Sequence, residues 1–360
     1  MSRTKTGQAP DLLKRVSPAL SALDARLRRV PQPESTAERV DPAQVSVVVQ
    51  GPVLGSPDDP AHRRLTWRAV TSAREQLPGA EVILSTWRGS DIADMPVDRV
   101  VMSVDPGSTA PRDPTHVPNN VNRQVVSTRA GLAVAQRAYT LKLRSDMEVT
   151  GTGMLSLLHG WPARAAEGRV LGGRIVVPTF YTFNPRRVYS RFPYMVSDWA
   201  HFGTTEDVRE VWTTPHWEPA YEWLLGRRIV ASEQWIWMSL LNRHDMDAFI
   251  GRPDVLEHSE LMLVNNAIVV EAEDMGVRML KFTPHLGHQT AVFTHGEWQL
   301  LYEQVCGGTT AGRRVDRQAL LRTLVDRLWI RGLALPIIGP PADLVPSPRP
   351  LAPAAAARTE

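Results

Sequence analysis

The strongest constraint on the fold is a short run near the start, Val45-Ser-Val-Val-Val-Gln50, closed by Gly51-Pro52. A continuous β-branched run has no polar face to give to water. It belongs inside a sheet covered on both faces, hence a parallel sheet built from strand–helix–strand units. The next residues repeat that unit. A helix over about 62–76 carries Leu65, Ala69, Val70 and Ala73 on one stripe and stops at Pro78-Gly79. A second strand spans 81–89 and ends in a polar tip; a third spans 98–104. The fold class predicted is α/β, with a mostly parallel, Rossmann-like sheet flanked by helices and a helical, aromatic region beyond it.

At 360 residues, 43% hydrophobic and 22% charged, the chain has the composition of a globular protein with a large core. A net charge of +3 makes no case for nucleic-acid binding. With one cysteine, Cys306, neither a disulfide framework nor a Cys-rich zinc site can form within the chain. The first residues lack an apolar h-region, and no apolar run reaches spanning length, so a cytoplasmic protein is expected. Residues 1–43 read as a basic arm and linker, 44–305 as the main domain, 306–333 as an amphipathic helical region and 334–360 as a disordered Pro/Ala-rich tail. Basic amphipathic stretches at 11–30 and 317–333 suit peripheral contact with the inner face of the cytoplasmic membrane. Composition alone suits a loosely packed arm as well.

Chemistry concentrates in Tyr139-Thr-Leu-Lys-Leu-Arg-Ser-Asp146-Met-Glu-Val149. It begins as a strand, but Lys142, Arg144 and Asp146 alternate with its apolar residues. Charged groups on one strand face need solvent, a partner or a ligand. An acid flanked by cations at the end of a strand is where an open α/β sheet places its ligand; an edge strand with an ion pair is the plainer alternative. A helix over 120–136 opens with Asn122, Arg123 and Gln124, and its free N–H groups beside an arginine suit a pyrophosphate, or simply a capped, solvated first turn. Many of the eleven tryptophans crowd between Trp199 and Trp237. Trp235 and Trp237 read as core, whereas Trp199, beside Asp198, reads as a site residue. His285 and His288 sit on a loop, either sharing a ligand with Asp146 or bonded at the surface.

Several segments together resemble the WavE-type lipopolysaccharide-synthesis family of candidate glycosyltransferases. They are Val45–Pro52, Leu77–Asp91, Asn120–Ser127, Leu141–Met147, Val196–Gly203 and Glu233–Trp235, in family order over about residues 45–240. The resemblance implies a GT-A-like sheet and transfer of a sugar from a nucleotide-sugar donor to a glycan or lipid-linked acceptor. It implies that Gln50, Gly51, Ser85, Thr86 and Asp91 line the nucleotide, that Asn122, Arg123 and Gln124 hold ribose or diphosphate, and that Asp146 takes the metal-binding Asp-x-Asp position.

Arg144 replaces the first acid of that motif. One carboxylate is a thin site for Mn²⁺ or Mg²⁺, though diphosphate, water and His285 or His288 can add ligands. Lys142 and Arg144 offer a metal-free alternative. Asp198 and Glu233 are the candidate general bases for the acceptor hydroxyl. Two other readings stand beside this one. A nucleotidyltransferase would carry a Gly-rich, basic loop after the first strand, and Ser56-Pro-Asp-Asp59 is acidic instead. A non-catalytic carbohydrate-binding or scaffold protein would fit the single-acid motif.

Overall fold

A computed structural model describes residues 38–55, 64–109, 119–186, 193–218, 231–244, 255–280 and 292–307. The amphipathic stretches at 11–30 and 317–333, His285, His288 and the Pro/Ala-rich tail lie outside these residues. The strands are β1 (Val45–Gln50), β2 (Glu81–Trp87), β3 (Arg99–Ser103), β4 (Tyr139–Arg144), β5 (Met147–Val149), β6 (Ile175–Pro178), β7 (Ala200–Thr204), β8 (Ala267–Val270) and β9 (Val277–Met279). The helices are α1 (Leu65–Gln76), α2 (Val121–Val134), α3 (Gly153–Leu157), α4 (Thr205–Val211), α5 (Ser232–His244), α6 (Val255–Asn266), α7 (Ala272–Met275) and α8 (His295–Cys306).

The main sheet has seven strands in the order β3-β2-β1-β4-β7-β6-β8. β1 pairs in parallel with β2 and β4, and β2 in parallel with β3. β7 runs antiparallel between β4 and β6, and β8 is parallel to β6. This is the expected α/β fold, mostly parallel and GT-A-like. Every residue of β1 is buried, as its unbroken apolar run requires. β3 closes the sheet at one edge and leaves Val100 and Met102 exposed.

Helix α2 covers β1 and β2 closely because of one glycine. A Cβ on Gly131 would lie 2.5 Å from Val48 Cγ1 and 3.0 Å from Ser85 Cβ. The chain turns at Ser145-Asp146, and β5 leaves the main sheet to pair antiparallel with β9. The turn is tied to the tip of β1: the Ser145 N–H donates to the Gln50 carbonyl at 2.8 Å and its hydroxyl to the Pro52 carbonyl at 2.8 Å. Residues 169–174, just ahead of β6, carry no strand. There, the Gly172 and Gly173 N–H groups donate to the Asp207 carboxylate at 2.7 and 3.0 Å rather than to a ladder.

Candidate active site

The site exists because β7 runs against its neighbour. β4 ends at the C-terminal edge of the parallel strands, and antiparallel β7 begins there, with Leu143 opposite Ala200 and Lys142 opposite His201. The residues just before β7, Asp198 and Trp199, therefore arrive beside Arg144 and Asp146. Two side chains fix this segment. Thr182 Oγ1 accepts the Ser197 N–H at 3.1 Å while its hydroxyl donates to the Pro178 carbonyl at 2.8 Å. His201 accepts the Trp212 indole N–H on Nδ1 at 3.0 Å, so its proton sits on Nε2 and donates to the Ser197 carbonyl at 2.6 Å. Burial, with Lys142 close by, pushes the His201 pKa down to about 3, which keeps the ring neutral.

Four charged side chains converge on this edge with Asp146. Lys142 is fully buried; its ammonium lies 4.5 Å from the Trp212 ring centroid and donates to the Asp198 backbone carbonyl. Burial lowers its pKa to about 7, against the pull of Asp198. Arg144 donates Nε–H and Nη2–H to the two oxygens of Asp146 at 3.0 and 2.8 Å. Its guanidinium carbon sits 3.7 Å from the centroid of the Trp199 ring. Asp198 is 1% exposed, and neither of its carboxylate oxygens has a hydrogen bond of ordinary geometry. Burial raises its carboxyl; Lys142, Arg144 and the nearby Gln124 amide hold that rise back. Glu233, in the first turn of α5, is raised by burial and then by Asp198, and is eased by Arg144 and the Trp199 indole N–H. Two acids pushed upward beside two cations form an arrangement that can exchange a proton.

A cleft of about 260 Å³ opens on the other side of the β1 tip. It lies between Val53 and Gly55, the start of α1 at Arg64 and Trp67, and the loop after β2 at Asp91 and Met95. Gly51 carries the chain between cleft and acids; its φ is +127°, and a Cβ there would meet Ser145 Oγ at 2.8 Å.

The residues expected to line the nucleotide divide accordingly. Asp91 borders the cleft. Gln50 and Ser85 face inward: Ser85 donates to the Ser127 carbonyl at 2.6 Å, and Ser127 donates to Gln50 Oε1 at 2.7 Å. Thr86 is fully buried and shares a hydrogen bond with Ser90 at 3.2 Å. The first turn of α2 is spent as well. Asn122 exchanges hydrogen bonds with the Trp217 backbone at 3.0 and 2.6 Å, and Arg123 forks onto Asp105 with both contacts at 2.8 Å. Gln124 alone of the three reaches the acids. Trp237 is core, as expected, and Trp235 is half-buried, donating its indole N–H to the Pro215 carbonyl at 3.0 Å.

Tyr181 was not singled out from the sequence. It holds a left-handed φ of 60°, stacks on Trp199 at 5.5 Å and 13°, and feels Glu233, Arg144 and Asp198. Its only signal was its place in the aromatic loop Thr179–Arg187.

A divalent ion needs oxygen ligands carrying net negative charge. At the Asp146 position the carboxylate is already neutralised by Arg144, and among the described residues no group of three or more His, Cys, Asp or Glu side chains could hold an ion. Among the described residues, the donor set at this turn does not fit a divalent metal; His285 and His288 lie outside them.

Comparison with curated proteins finds no match. A family model does match, described as WavE lipopolysaccharide synthesis and aligned to residues 45–328. It spans the whole sheet, the cleft and the acid cluster. The chain belongs to the WavE lipopolysaccharide synthesis family.

Proposed function

We propose that the protein is a glycosyltransferase that moves a sugar from a nucleotide-sugar donor to a lipopolysaccharide-type acceptor. One observation carries this reading. Asp198 and Glu233 are buried together at the C-terminal edge of the sheet, on the far side of the β1 tip from an open cleft. In α/β sheets such edges hold ligands, and the cleft suits the nucleoside while the acids suit the reacting sugar.

Transfer needs a base for the acceptor hydroxyl and a home for the leaving nucleotide's charge. Asp198 is the base. Its carboxylate oxygens have no hydrogen bond of ordinary geometry, and burial raises its pKa above the usual carboxylate value. As the acceptor oxygen bonds to the anomeric carbon, its proton passes to Asp198, and the bond to the nucleotide breaks with both electrons going to the leaving group. Glu233, held toward its protonated form, keeps a second negative charge away from that proton path. Trp199, stacked on Tyr181 and carrying the Arg144 guanidinium on its ring, forms the aromatic wall beside the acids. The family's lipopolysaccharide-synthesis description supports this acceptor class. No helix among the described residues is long and apolar enough to cross a membrane. The basic stretches at 11–30 and 317–333 have the composition for contact with a surface that carries lipid-linked acceptors.

The test is a panel of UDP-, GDP-, TDP- and CMP-sugars, followed by melting temperature and by nucleotide release on adding a saccharide acceptor. One donor should raise the melting temperature by mass action and release nucleotide only with acceptor. No shift and no release with any donor would end this reading.

A further inference from the structure

The geometry points to a metal-free anion subsite at the Arg144–Asp146 turn, where the Arg144 guanidinium takes the charge of a nucleoside diphosphate. This rests on the nucleotide-sugar reading above and deepens it.

Position comes first. Arg144 is the last residue of β4 and pairs in register with Gln50, the last residue of β1. The chain continuing from Gln50 is the tip that separates the cleft from the acids, and Ser145 is bonded to Pro52 on that tip. The turn thus borders the segment that links the cleft to the acids, where a diphosphate between them would lie.

Orientation comes second. Asp146 grips the guanidinium by Nε and Nη2, and the Trp199 ring lies against it, so the plane is fixed before a ligand arrives. The Nη1 edge has no acceptor among the described residues. The Arg144 side chain is 27% exposed and that of Asp146 6%. The cation is presented outward and the acid is tucked behind it. A metal site would require the reverse order. A guanidinium held this way offers a fork that matches phosphate oxygens, with little motion left to freeze on binding.

The neighbouring cations do not compete for this role. Lys142 is fully buried with its ammonium on the Asp198 carbonyl. Arg123 spends Nε and Nη2 on Asp105 and Nη1 on Asn120 Oδ1, so no edge of its guanidinium is left for a ligand. Arg144 is thus the cation that turns the missing first acid of the motif from a defect into the ligand-binding group.

Calorimetry with the full chain tests this, using UDP, GDP, TDP and CMP, each in EDTA and in Mn²⁺. One nucleoside diphosphate should bind with a Kd that changes less than about twofold between the two conditions. Arg144→Gln should weaken it at least about tenfold in EDTA, the size expected for losing a charge-assisted contact. Arg144→Asp restores a two-acid pattern and should bind only when Mn²⁺ is present. Should that variant not fold, Arg144→Lys decides, since keeping the charge without the fork should leave an intermediate affinity. Wild-type binding that requires Mn²⁺ overturns the inference and leaves the glycosyltransferase reading standing. So does preferred binding of CMP, or an Arg144→Gln variant that folds and binds as tightly as wild type. Absence of binding by any nucleotide in either condition overturns both.

Discussion

The Lys142 ammonium donates to the backbone carbonyl of Asp198, not to its carboxylate. The lysine thereby holds the acid's main chain in place and acts on its side chain only through charge. That charge lowers the Asp198 carboxyl against the larger effect of burial. Replacing Lys142 with Met keeps the bulk and removes the charge. Asp198 should then need a higher pH to lose its proton, so the acid limb of the pH–rate profile for sugar transfer should move upward. An unmoved limb would show that Lys142 serves packing alone.

Asp198 and Glu233 should respond unequally to amide substitution. Asn at 198 cannot accept the acceptor's proton, so transfer should fall about 10²–10⁴-fold, the range for losing a positioned base. Gln at 233 reproduces the shape of a protonated acid, which is the form burial already favours there. Its loss should stay within about tenfold. Nucleotide affinity should be unchanged in both. Rates for the two variants against a fixed donor decide the matter, and equal, mild effects would remove the base assignment.

Much of this site was legible in the sequence, and the remainder was hidden for identifiable reasons. The apolar run 45–50 could only be a central strand, and it is one. Lys142, Arg144, Asp146, Asp198, Trp199 and Glu233 stood out as charged or aromatic residues in apolar company, and the fold brings them together. What joins them did not stand out. β7 is the short Ala-His-Phe-Gly-Thr stretch, without alternation, and its antiparallel direction depends on partners far along the chain. The donors of Asn122 looked available, yet they are taken by Trp217, 95 positions away. Ser85 sits at a strand tip but faces inward, because Gly131 lets α2 close over it.

Glu233 also makes stability depend on pH. Its folded carboxyl is raised by burial and by Asp198, whereas the unfolded chain ionises near the ordinary value. Between those values the folded state keeps a proton that the unfolded state has lost, so stability falls as pH rises through the window. Glu233→Gln cannot ionise and escapes this loss. Its melting temperature should match wild type most closely near about pH 5 and exceed it by roughly 2–4 °C near about pH 8. A variant less stable than wild type at the higher pH would mean that the ionised carboxylate is being held by a partner.

Gly51 is the hinge between cleft and acids, and a methyl group there faces two separate penalties. The φ of +127° is strained for any L side chain, and the new Cβ would sit 2.8 Å from Ser145 Oγ. Gly51→Ala should therefore cost about 1–3 kcal/mol in unfolding free energy. Ser145→Ala removes the colliding hydroxyl together with its bond to Pro52, which ties the turn to the tip. The double variant should recover only part of the loss, because the backbone strain remains. A double-mutant cycle in urea separates the two effects. Coupling between the sites would report the direct contact between the new Cβ and Ser145 Oγ. Simple additivity would mean that the collision is relieved by a shift elsewhere and that backbone strain accounts for the loss.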